Sequence, residues 1–195
     1  MTEPSQTDSQ ADQKTDAAAQ TAASANSPRV VQQLTFCLAW LLLSIAIIAA
    51  DLLSKHWASN NLTLYSSQEI TSWLNFHLAH NRGAAFSFLH DADGWQRWFF
   101  SSVSSIVSVI LLVWLWQTPR DAWRQALALS LVLGGAIGNL VDRLYLGYVV
   151  DFIDVHYAGW HWPAFNIADA AITVGIFLLV IDGLIPRKTK DKSKG

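Results

Sequence analysis

The chain has 195 residues, of which 52% are hydrophobic and only 14% are charged, and its formal net charge is −2. A soluble domain of this size would carry about a quarter charged residues, so the composition excludes an ordinary soluble domain and indicates a small protein that crosses a membrane several times. The single cysteine, Cys37, excludes an intramolecular disulfide and a cysteine-rich zinc site, and the absence of a basic face with nucleic-acid motifs excludes nucleic acid as an expected partner.

The chain is predicted to consist of two tails and one membrane domain. Residues 1–28 are rich in Ala, Ser, Thr, Gln and Asp and have almost no large apolar side chain, so they are predicted to form a disordered cytoplasmic tail. Residues 187–195 form a short basic tail. Residues 29–186 form the membrane domain, whose four helices are predicted from apolar stretches of about the length that crosses a bilayer. These spans are residues 34–53, 98–116, 126–141 and 164–184. Within the third span, Gly134, Gly135 and Gly138 are suited to close helix packing.

The region between the first two spans, residues 54–96, is predicted to lie outside the membrane. Leu74–Leu78 alternates apolar and polar residues, which indicates a strand with one buried face. Asn81-Arg82-Gly83 has the composition of a turn, and Ala84–Leu89 then resumes an extended pattern. We therefore expect a short sheet lying against the bilayer surface.

The distribution of basic residues predicts the orientation of the four spans. One side carries eight of them: Arg29, Arg120, Arg124 and the five Lys and Arg residues of the C-terminal tail. The other side carries four, in longer segments: Lys55, Arg82, Arg97 and Arg143. Because short cytoplasmic segments are enriched in Lys and Arg, both termini are predicted to be cytoplasmic.

This topology brings polar residues from distant parts of the sequence to one membrane face, the outer one. They are Asp51, Asn81, Asn139, Asp142, Arg143, Asp151, Asn166 and Asp169. Independent residues reaching for the nearest interface would divide between both faces. Ionisable groups in membrane-grade sequence usually mark a functional site, since their insertion costs roughly 2.5–3.5 kcal/mol each.

Asp151 and Asp169 are interpreted as a catalytic carboxylate pair. Asp151 is flanked by apolar residues, and Asp169 lies one turn inside the last span, on the same helix face as Asn166. Two carboxylates held close together share a proton, so they can activate a water and protonate a leaving amine, as in aspartic proteases. The alternative is that the two are separate structural carboxylates, and their spacing alone leaves both interpretations open.

The other charged residues are given structural interpretations. Asp51 and Lys55 are four apart and can pair on one helix face, although an ordinary interfacial pair that reaches to solvent is the alternative. Asp142 and Arg143 are interpreted as an ion-paired scaffold, and Asp154 as a solvated neighbour.

No metal or organic cofactor is expected. Five of the six histidines could suggest a metal, but none has a recognised ligand spacing, so they are interpreted as interfacial or strand residues. These are His77, His80, His90, His156 and His161. A transporter or proton-relay protein is the main alternative function, but it would need a polar route to the cytoplasmic face, where the spans offer little except Asp182. A non-catalytic scaffold would leave the convergence of polar residues unexplained.

Four motifs between about Leu34 and Leu184 closely resemble those of bacterial lipoprotein signal peptidase, also called signal peptidase II, an aspartic intramembrane protease. They are Asp51-Leu-Leu-Ser-Lys55, Asn81-Arg-Gly-Ala-Ala-Phe-Ser87, Gly134-Gly-Ala-Ile-Gly-Asn-Leu-Val-Asp-Arg143 continuing to Val149-Val-Asp-Phe-Ile153, and Phe165-Asn-Ile-Ala-Asp-Ala-Ala-Ile172. The resemblance implies a mainly α membrane protein with four transmembrane helices, a small periplasmic β-sheet and a short interfacial helix between spans 3 and 4.

The resemblance also implies the activity and the site. Asp151 and Asp169 would be the catalytic residues of an endopeptidase that cleaves diacylglyceryl prolipoprotein substrates just before the lipid-modified cysteine. The implied substrate-binding or supporting residues are Asp51, Lys55, Asn81, Gly83, Asn139, Asp142, Arg143 and Asn166. The implied location is the bacterial cytoplasmic (inner) membrane, with the active site near the periplasmic face, and the expected partners are prolipoproteins and membrane lipids. The oligomeric state stays open, with a monomer as the working expectation.

Overall fold

A computed structural model describes residues 6–83 and 94–185, with the side chains of the first helix described from residue 29 onward. The chain divides into two compact units, Met1–Ala39 and Trp40–Gly195. The first unit contains the N-terminal part of the first helix. The second contains every other helix and strand, and all the residues of the candidate site.

The described residues form four helices that are long and apolar enough to cross a membrane. They are α1 (Gln6–Asn61), α2 (Trp95–Gln117), α3 (Trp123–Tyr145) and α4 (Ile167–Leu184). The prediction of a mainly α protein with four spans is confirmed. The protein is a multi-pass membrane protein. Helix α1 begins inside the predicted disordered tail, whose Ala- and Gln-rich sequence has high helix propensity, and its disorder stays a prediction.

A small antiparallel sheet lies between the helices in sequence. Its strands, in spatial order, are β1 (Ser67–Thr71), β2 (Leu74–Asn81), β3 (Val149–Tyr157) and β4 (Trp160–His161). The predicted strand at Leu74–Leu78 is confirmed as the first part of β2. The predicted extended run Ala84–Leu89 lies outside the described residues.

The short interfacial helix expected between the third and fourth spans is a wrong prediction. Residues 146–166 are all described, and they form β3 and β4 rather than a helix. The sequence of β3, Val-Val-Asp-Phe-Ile-Asp-Val-His-Tyr, is rich in β-branched and aromatic residues, which favour a pleated surface. Strand β3 then pairs with β2 along most of its length, so long-range pairing determines its conformation.

The sheet packs onto the last turns of α1. Ala58, Leu78, Val150 and Phe152 form a buried cluster that joins α1, β2 and β3. This contact explains why α1 continues to Asn61, beyond the predicted end of the first span at residue 53. It also fixes the position of β3, and therefore of Asp151, relative to the membrane helices.

Helix α3 is the most buried of the four, and its glycines allow close contact with two neighbours. A Cβ at Gly134 would lie 2.9 Å from the Cβ of Ile47 on α1. A Cβ at Gly135 would overlap the carbonyl oxygen of Ala168 on α4. The prediction that glycines in this span support close helix packing is confirmed.

Candidate active site

Asp151 lies in the middle of the sheet, on β3, where it pairs in register with Ala79 of β2. Only 3% of its surface is exposed. Two amides donate hydrogen bonds to its carboxylate: Nδ2 of Asn166 to Oδ1 at 2.7 Å and Nδ2 of Asn81 to Oδ2 at 3.0 Å. Asp151 is therefore a buried carboxyl group whose orientation is fixed by hydrogen bonds from two sides.

Asp169 lies in the first turn of α4, where the start of the helix orients it. Asn166 is the N-cap, and its Oδ1 accepts a hydrogen bond from the backbone N–H of Asp169 at 2.9 Å. In return, Oδ2 of Asp169 accepts from the backbone N–H of Asn166 at 3.2 Å, which completes a capping box. Its other oxygen, Oδ1, accepts from Nδ2 of Asn139 on α3 at 2.8 Å.

A single side chain connects the two carboxyl groups. Asn166 is fully buried, caps the helix that carries Asp169, and donates to Asp151. Asn139 lies beside it, with 3.2 Å between Nδ2 of Asn166 and Oδ1 of Asn139. The structure thus brings together two aspartates, Asp151 and Asp169, that are 18 residues apart in the sequence.

The environment of Asp151 favours its protonated form. The pKa of Asp151 is raised from 3.8 to about 7. Burial is the main cause of this rise, and the nearby carboxylate of Asp169 is the second. The hydrogen bonds from Asn81 and Asn166 act in the opposite direction, because they stabilise the carboxylate. Near neutral pH this carboxyl group can therefore both hold and release a proton.

Behind the pair lies a buried ionic cluster centred on Lys55 of α1. The Lys55 Nζ lies 2.7 Å from Oδ2 of Asp51, 3.0 Å from Oδ2 of Asp142 and 2.9 Å from Oδ1 of Asn139. Lys55 is 3% exposed and Asp51 is not exposed at all, so the alternative of an interfacial pair reaching to solvent is wrong. Asn139 connects this cluster to Asp169, because it accepts a hydrogen bond from Lys55 and donates one to Asp169.

The same cluster connects the helices to the sheet. Oδ1 of Asp51 accepts from the backbone N–H of Ala168 on α4 at 2.9 Å, and Oδ2 of Asp142 accepts from that of Val150 on β3 at 3.0 Å. Asp142 therefore pairs with Lys55, and the predicted pairing of Asp142 with the adjacent Arg143 is wrong. Consecutive residues of a helix do not face each other, and the charge of Asp142 acts on the guanidinium of Arg143 without an ion pair between them among the described residues.

Arg143 is directed toward the site by other contacts. Its guanidinium carbon lies 5.4 Å from the ring centroid of Phe100 on α2, a cation–π geometry. Its Nη1 donates to the carbonyl of Asn139 at 3.4 Å, and its charge is within electrostatic reach of both Asp151 and Asp169. It supplies positive charge beside the pair.

Asp154 is not the solvated neighbour that the sequence predicts. It is 5% exposed, and its carboxylate lies 3.1 Å from Nδ2 of Asn75 and 2.9 Å from Nδ1 of His161. A strand register that places Asn75 opposite Asp154 explains the burial, since it covers the carboxylate with a neighbouring strand. Sequence reasoning missed Asn75, for which only its place in the alternating Leu74–Leu78 pattern gives a signal.

Four of the five histidines weighed for a metal occupy the sheet, and His90 lies outside the described residues. His77 and His80 are on β2, His156 on β3 and His161 on β4. Burial, together with the positive charge of Arg82, lowers the pKa of His80, whose ring stacks on Tyr148 with 3.9 Å between centroids.

A cavity of about 600 Å³, the dyad cavity, opens onto both aspartates. Its polar wall contains Asn81, Gly83, Asn139, Arg143, Asp151 and Asp169. Its apolar wall includes Ala170, Ile172 and Val174 of α4 and Phe165. The connection Trp162-Pro163-Ala164 also lines it, and no motif in the sequence pointed to this segment. Two carboxyl groups on the wall of a partly apolar cavity can hydrolyse a bond in a largely apolar polypeptide.

Comparisons with known proteins give a family match over most of the chain. Residues 43–185 match the family model described as signal peptidase (SPase) II. The chain belongs to the signal peptidase II family. This confirms the family predicted from the four motifs, and it assigns the chain to a family of proteases rather than to the transporters or scaffolds weighed from its sequence.

Individual members of the signal peptidase II family match over most of their length. The lipoprotein signal peptidase of Teredinibacter turnerae is 54% identical over 151 residues, which cover 77% of this chain and 90% of that relative. The lipoprotein signal peptidase of Pseudomonas syringae pv. tomato is 51% identical over 154 residues, 78% of this chain and 89% of the relative.

Solved structures also share the fold. A bacterial membrane enzyme determined by the in meso method at 2.3 Å resolution superposes with a TM-score of 0.68 and 29% sequence identity, covering 80% of this chain and 93% of the other. A second bacterial membrane enzyme, at 1.9 Å resolution, gives a TM-score of 0.66 at 30% identity, with 76% and 94% covered.

Proposed function

We propose that this protein is an aspartic endopeptidase that removes signal peptides from diacylglyceryl-modified prolipoproteins by cleaving before the lipid-modified cysteine. The observation that carries the proposal is the position of Asp151 and Asp169 on the wall of one cavity, joined through Asn166. The names of its relatives as lipoprotein signal peptidases support the substrate class. The apolar wall formed by α4 suits an apolar signal segment.

In the proposed mechanism the pair begins with one shared proton, held on Asp151. The Asp169 carboxylate takes a proton from a water, whose oxygen attacks the carbonyl carbon of the scissile bond, while Asp151 donates its proton to the carbonyl oxygen. The resulting tetrahedral diol collapses as its C–N bond breaks. Asp169 then gives its proton to the leaving amine, and Asp151 recovers a proton from the diol hydroxyl. The reaction consumes one water and needs no metal or organic cofactor.

The supporting residues are proposed to hold this geometry. Asn81, Asn139 and Asn166 orient the two carboxyl groups through the hydrogen bonds they donate. Arg143 balances the negative charge that develops on the pair and on the substrate oxygen. Gly83 lines the same cavity, next to the Asn81 turn.

The location is proposed from the same features. The distribution of Lys and Arg supports an inner-membrane protein with both termini cytoplasmic and the dyad cavity near the periplasmic face. A lipid-modified cysteine anchored in the outer leaflet of that membrane would lie at the depth of this cavity. The enzyme is proposed to act as a monomer, with lipid around its exposed apolar helix faces.

The decisive experiment is cleavage of a diacylglyceryl prolipoprotein by the purified protein and its variants. Asp151→Asn and Asp169→Asn are each expected to lower kcat about a thousandfold or more, because neither variant can share a proton in the same way. The matched control is Asp121→Asn, an exposed aspartate in the turn before α3, which should cleave like the wild type. Undiminished cleavage by either dyad variant would refute the proposal, and so would loss of activity with EDTA that added metal restores.

A further inference from the structure

A second cavity, of about 460 Å³, adjoins the dyad cavity at Asp151. The two cavities share Asn81, Asp151 and the connection Trp162-Pro163-Ala164. Asp151 therefore lies at their junction. A polypeptide whose scissile bond is at the dyad can extend into one cavity on its N-terminal side and into the other on its C-terminal side.

The two cavities differ in chemistry and in the elements that form them. The dyad cavity is walled in part by α3 and α4, with apolar side chains along α4. The described lining of the second cavity comes only from the strands and their connections, and polar side chains make up a larger share of it than of the dyad cavity. Its distinctive side chains are Tyr65, Ser67, His77, Asp154 and His161. A hydrophilic chain segment fits this cavity, and an apolar signal helix fits the other.

Two histidines of the second cavity, His77 and His161, are each held by a hydrogen bond at Nδ1 of the ring. Nδ1 of His161 lies 2.9 Å from Oδ2 of the buried Asp154, and Nδ1 of His77 lies 2.9 Å from Oγ of Ser67. A carboxylate only accepts hydrogen bonds, so Nδ1 of His161 carries the proton and, in the neutral ring, Nε2 is an acceptor. The side chain of His161 is 51% exposed, so this acceptor is accessible to a ligand.

Charge limits what the cavity can accept. A substrate carboxylate has no hydrogen to donate, so it cannot bond to the Nε2 acceptor of His161 or to the buried carboxylate of Asp154, which both line the cavity. The oxygens of Asp154 are already engaged by Asn75 and His161, so it does not attract a cation as a free carboxylate would. Neutral groups that donate hydrogen bonds, such as backbone amides and the side chains of Ser or Asn, complement the Nε2 acceptor of His161.

We infer that the second cavity is a subsite for the residues that follow the lipid-modified cysteine, and that it selects neutral hydrogen-bond donors over acidic side chains through His77 and His161. The inference rests on the proposed peptidase function. It makes these two histidines specificity-determining residues that act by binding substrate, away from the chemistry at the dyad.

The test compares two diacylglyceryl substrates with the full-length enzyme. One ends immediately after the modified cysteine, and the other continues for four neutral polar residues. The wild type is expected to cleave the longer substrate with a kcat/KM about tenfold higher. His161→Ala and His77→Ala should each reduce that gain by about three- to tenfold, the effect of losing one hydrogen bond, while cleavage of the short substrate is unchanged. His56→Ala, an exposed histidine on α1, is the control and should behave as wild type.

A second pair of long substrates, with Asn or Asp directly after the modified cysteine, tests the charge preference. The wild type should favour Asn. Equal cleavage of short and long substrates by the wild type would overturn the subsite and leave the peptidase function standing, as would equal cleavage of the Asn and Asp substrates. Failure of the wild type to cleave any of them would overturn the proposed function itself. Equal losses on short and long substrates in the histidine variants would mean a structural role instead.

Discussion

At the scale of single residues, the site is organised by amides around two acids. Asn166 caps α4 and donates to Asp151, while Asn139 donates to Asp169 and accepts from Lys55. An amide can donate and accept at once, so it can connect a carboxylate to a cation without adding charge. The acidic pair can therefore lie next to the ionic cluster at Lys55. Among the described residues, no ion pair joins Lys55 directly to Asp151 or Asp169.

The pKa of Asp151, raised to about 7, predicts how activity depends on pH. A raised pKa means that the proton stays bound up to about pH 7 and is lost above it. Since the proposed mechanism needs one shared proton, cleavage should fall as the pH rises through about 7. It should also fall in acid, where a second proton binds the pair, so a bell-shaped kcat/KM profile is expected. A flat profile between pH 5 and 9 would contradict proton sharing.

The same pKa shift predicts a stability change. Asp151 has a higher pKa in the folded state than its ordinary 3.8, so between about pH 4 and 7 the unfolded chain releases this proton first, and folding becomes less favourable as pH rises. Asp151→Asn cannot ionise. The thermal midpoint of the variant minus that of the wild type should therefore be larger at pH 8 than at pH 4.5. Both proteins are measured in the same detergent. An unchanged difference would mean that burial does not penalise the Asp151 carboxylate.

Lys55→Met is predicted to destabilise the protein strongly. The substitution leaves Asp51 and Asp142 buried without their cation, and breaking a buried pair from one side costs about 3–5 kcal/mol. Thermal unfolding followed by circular dichroism measures the loss. Ser54→Ala, which removes only a local hydroxyl contact to the Asp51 carbonyl, is the control. Equal midpoints for the two variants would show that the cluster contributes little.

At the scale of the elements, glycines on α3 determine how closely the helices approach. Ala168 on α4 is fully buried against α3, and its backbone N–H reaches Asp51 of α1. A Cβ at Gly138 would lie 2.7 Å from Oδ2 of Asp51. The helix contacts and the ionic cluster therefore depend on one another, because the carboxylate of Asp51 occupies the space that glycine leaves open.

Gly135→Ala is predicted to lower stability by about 1–3 kcal/mol, the usual cost of overpacking. The added methyl would overlap the carbonyl oxygen of Ala168 and lie 2.7 Å from Cγ1 of Ile172, so α4 and with it Asp169 must shift. Cleavage activity should fall as well. Gly183→Ala is the matched control, since a Cβ there meets nothing within 4 Å and alanine favours the helix. Thermal midpoints and kcat/KM of both variants decide the question, and similar values for the two would contradict tight packing at Gly135.

At the scale of the whole molecule, the sheet and the helices each contribute one carboxyl group of the proposed dyad. Asp151 comes from β3 and Asp169 from α4, and the buried cluster of Ala58, Leu78, Val150 and Phe152 fixes the sheet on α1. The sheet and its connections line a cavity with a larger share of polar side chains, next to the more apolar cavity walled in part by α3 and α4. This arrangement suits a substrate that is apolar on one side of its cleaved bond and hydrophilic on the other.

The proposed orientation predicts the result of reporter fusions. Alkaline phosphatase, which is active only outside the cytoplasm, should be active when inserted after Gly159, in the turn between β3 and β4 where a side chain would meet nothing within 4 Å. The same reporter fused to the C-terminus should be inactive, and a fluorescent protein there should fluoresce. The reverse pattern would place the dyad cavity on the cytoplasmic side and contradict the proposal.

The sequence by itself determined the four spans, the strand at Leu74–Leu78 and the family, because apolar length, residue alternation and short motifs are local properties that can be read along the chain. Only the tertiary structure decided that β3 replaces the expected interfacial helix, that Asp142 pairs with Lys55 rather than with Arg143, and that Asp154 is buried beneath Asn75 and His161. Each of these depends on a partner far away in sequence, which is β2 for β3, Lys55 for Asp142 and Asn75 for Asp154. These residues are buried and reach their partners only when the strands pair and the helices pack. The sequence around each residue therefore could not reveal its contacts.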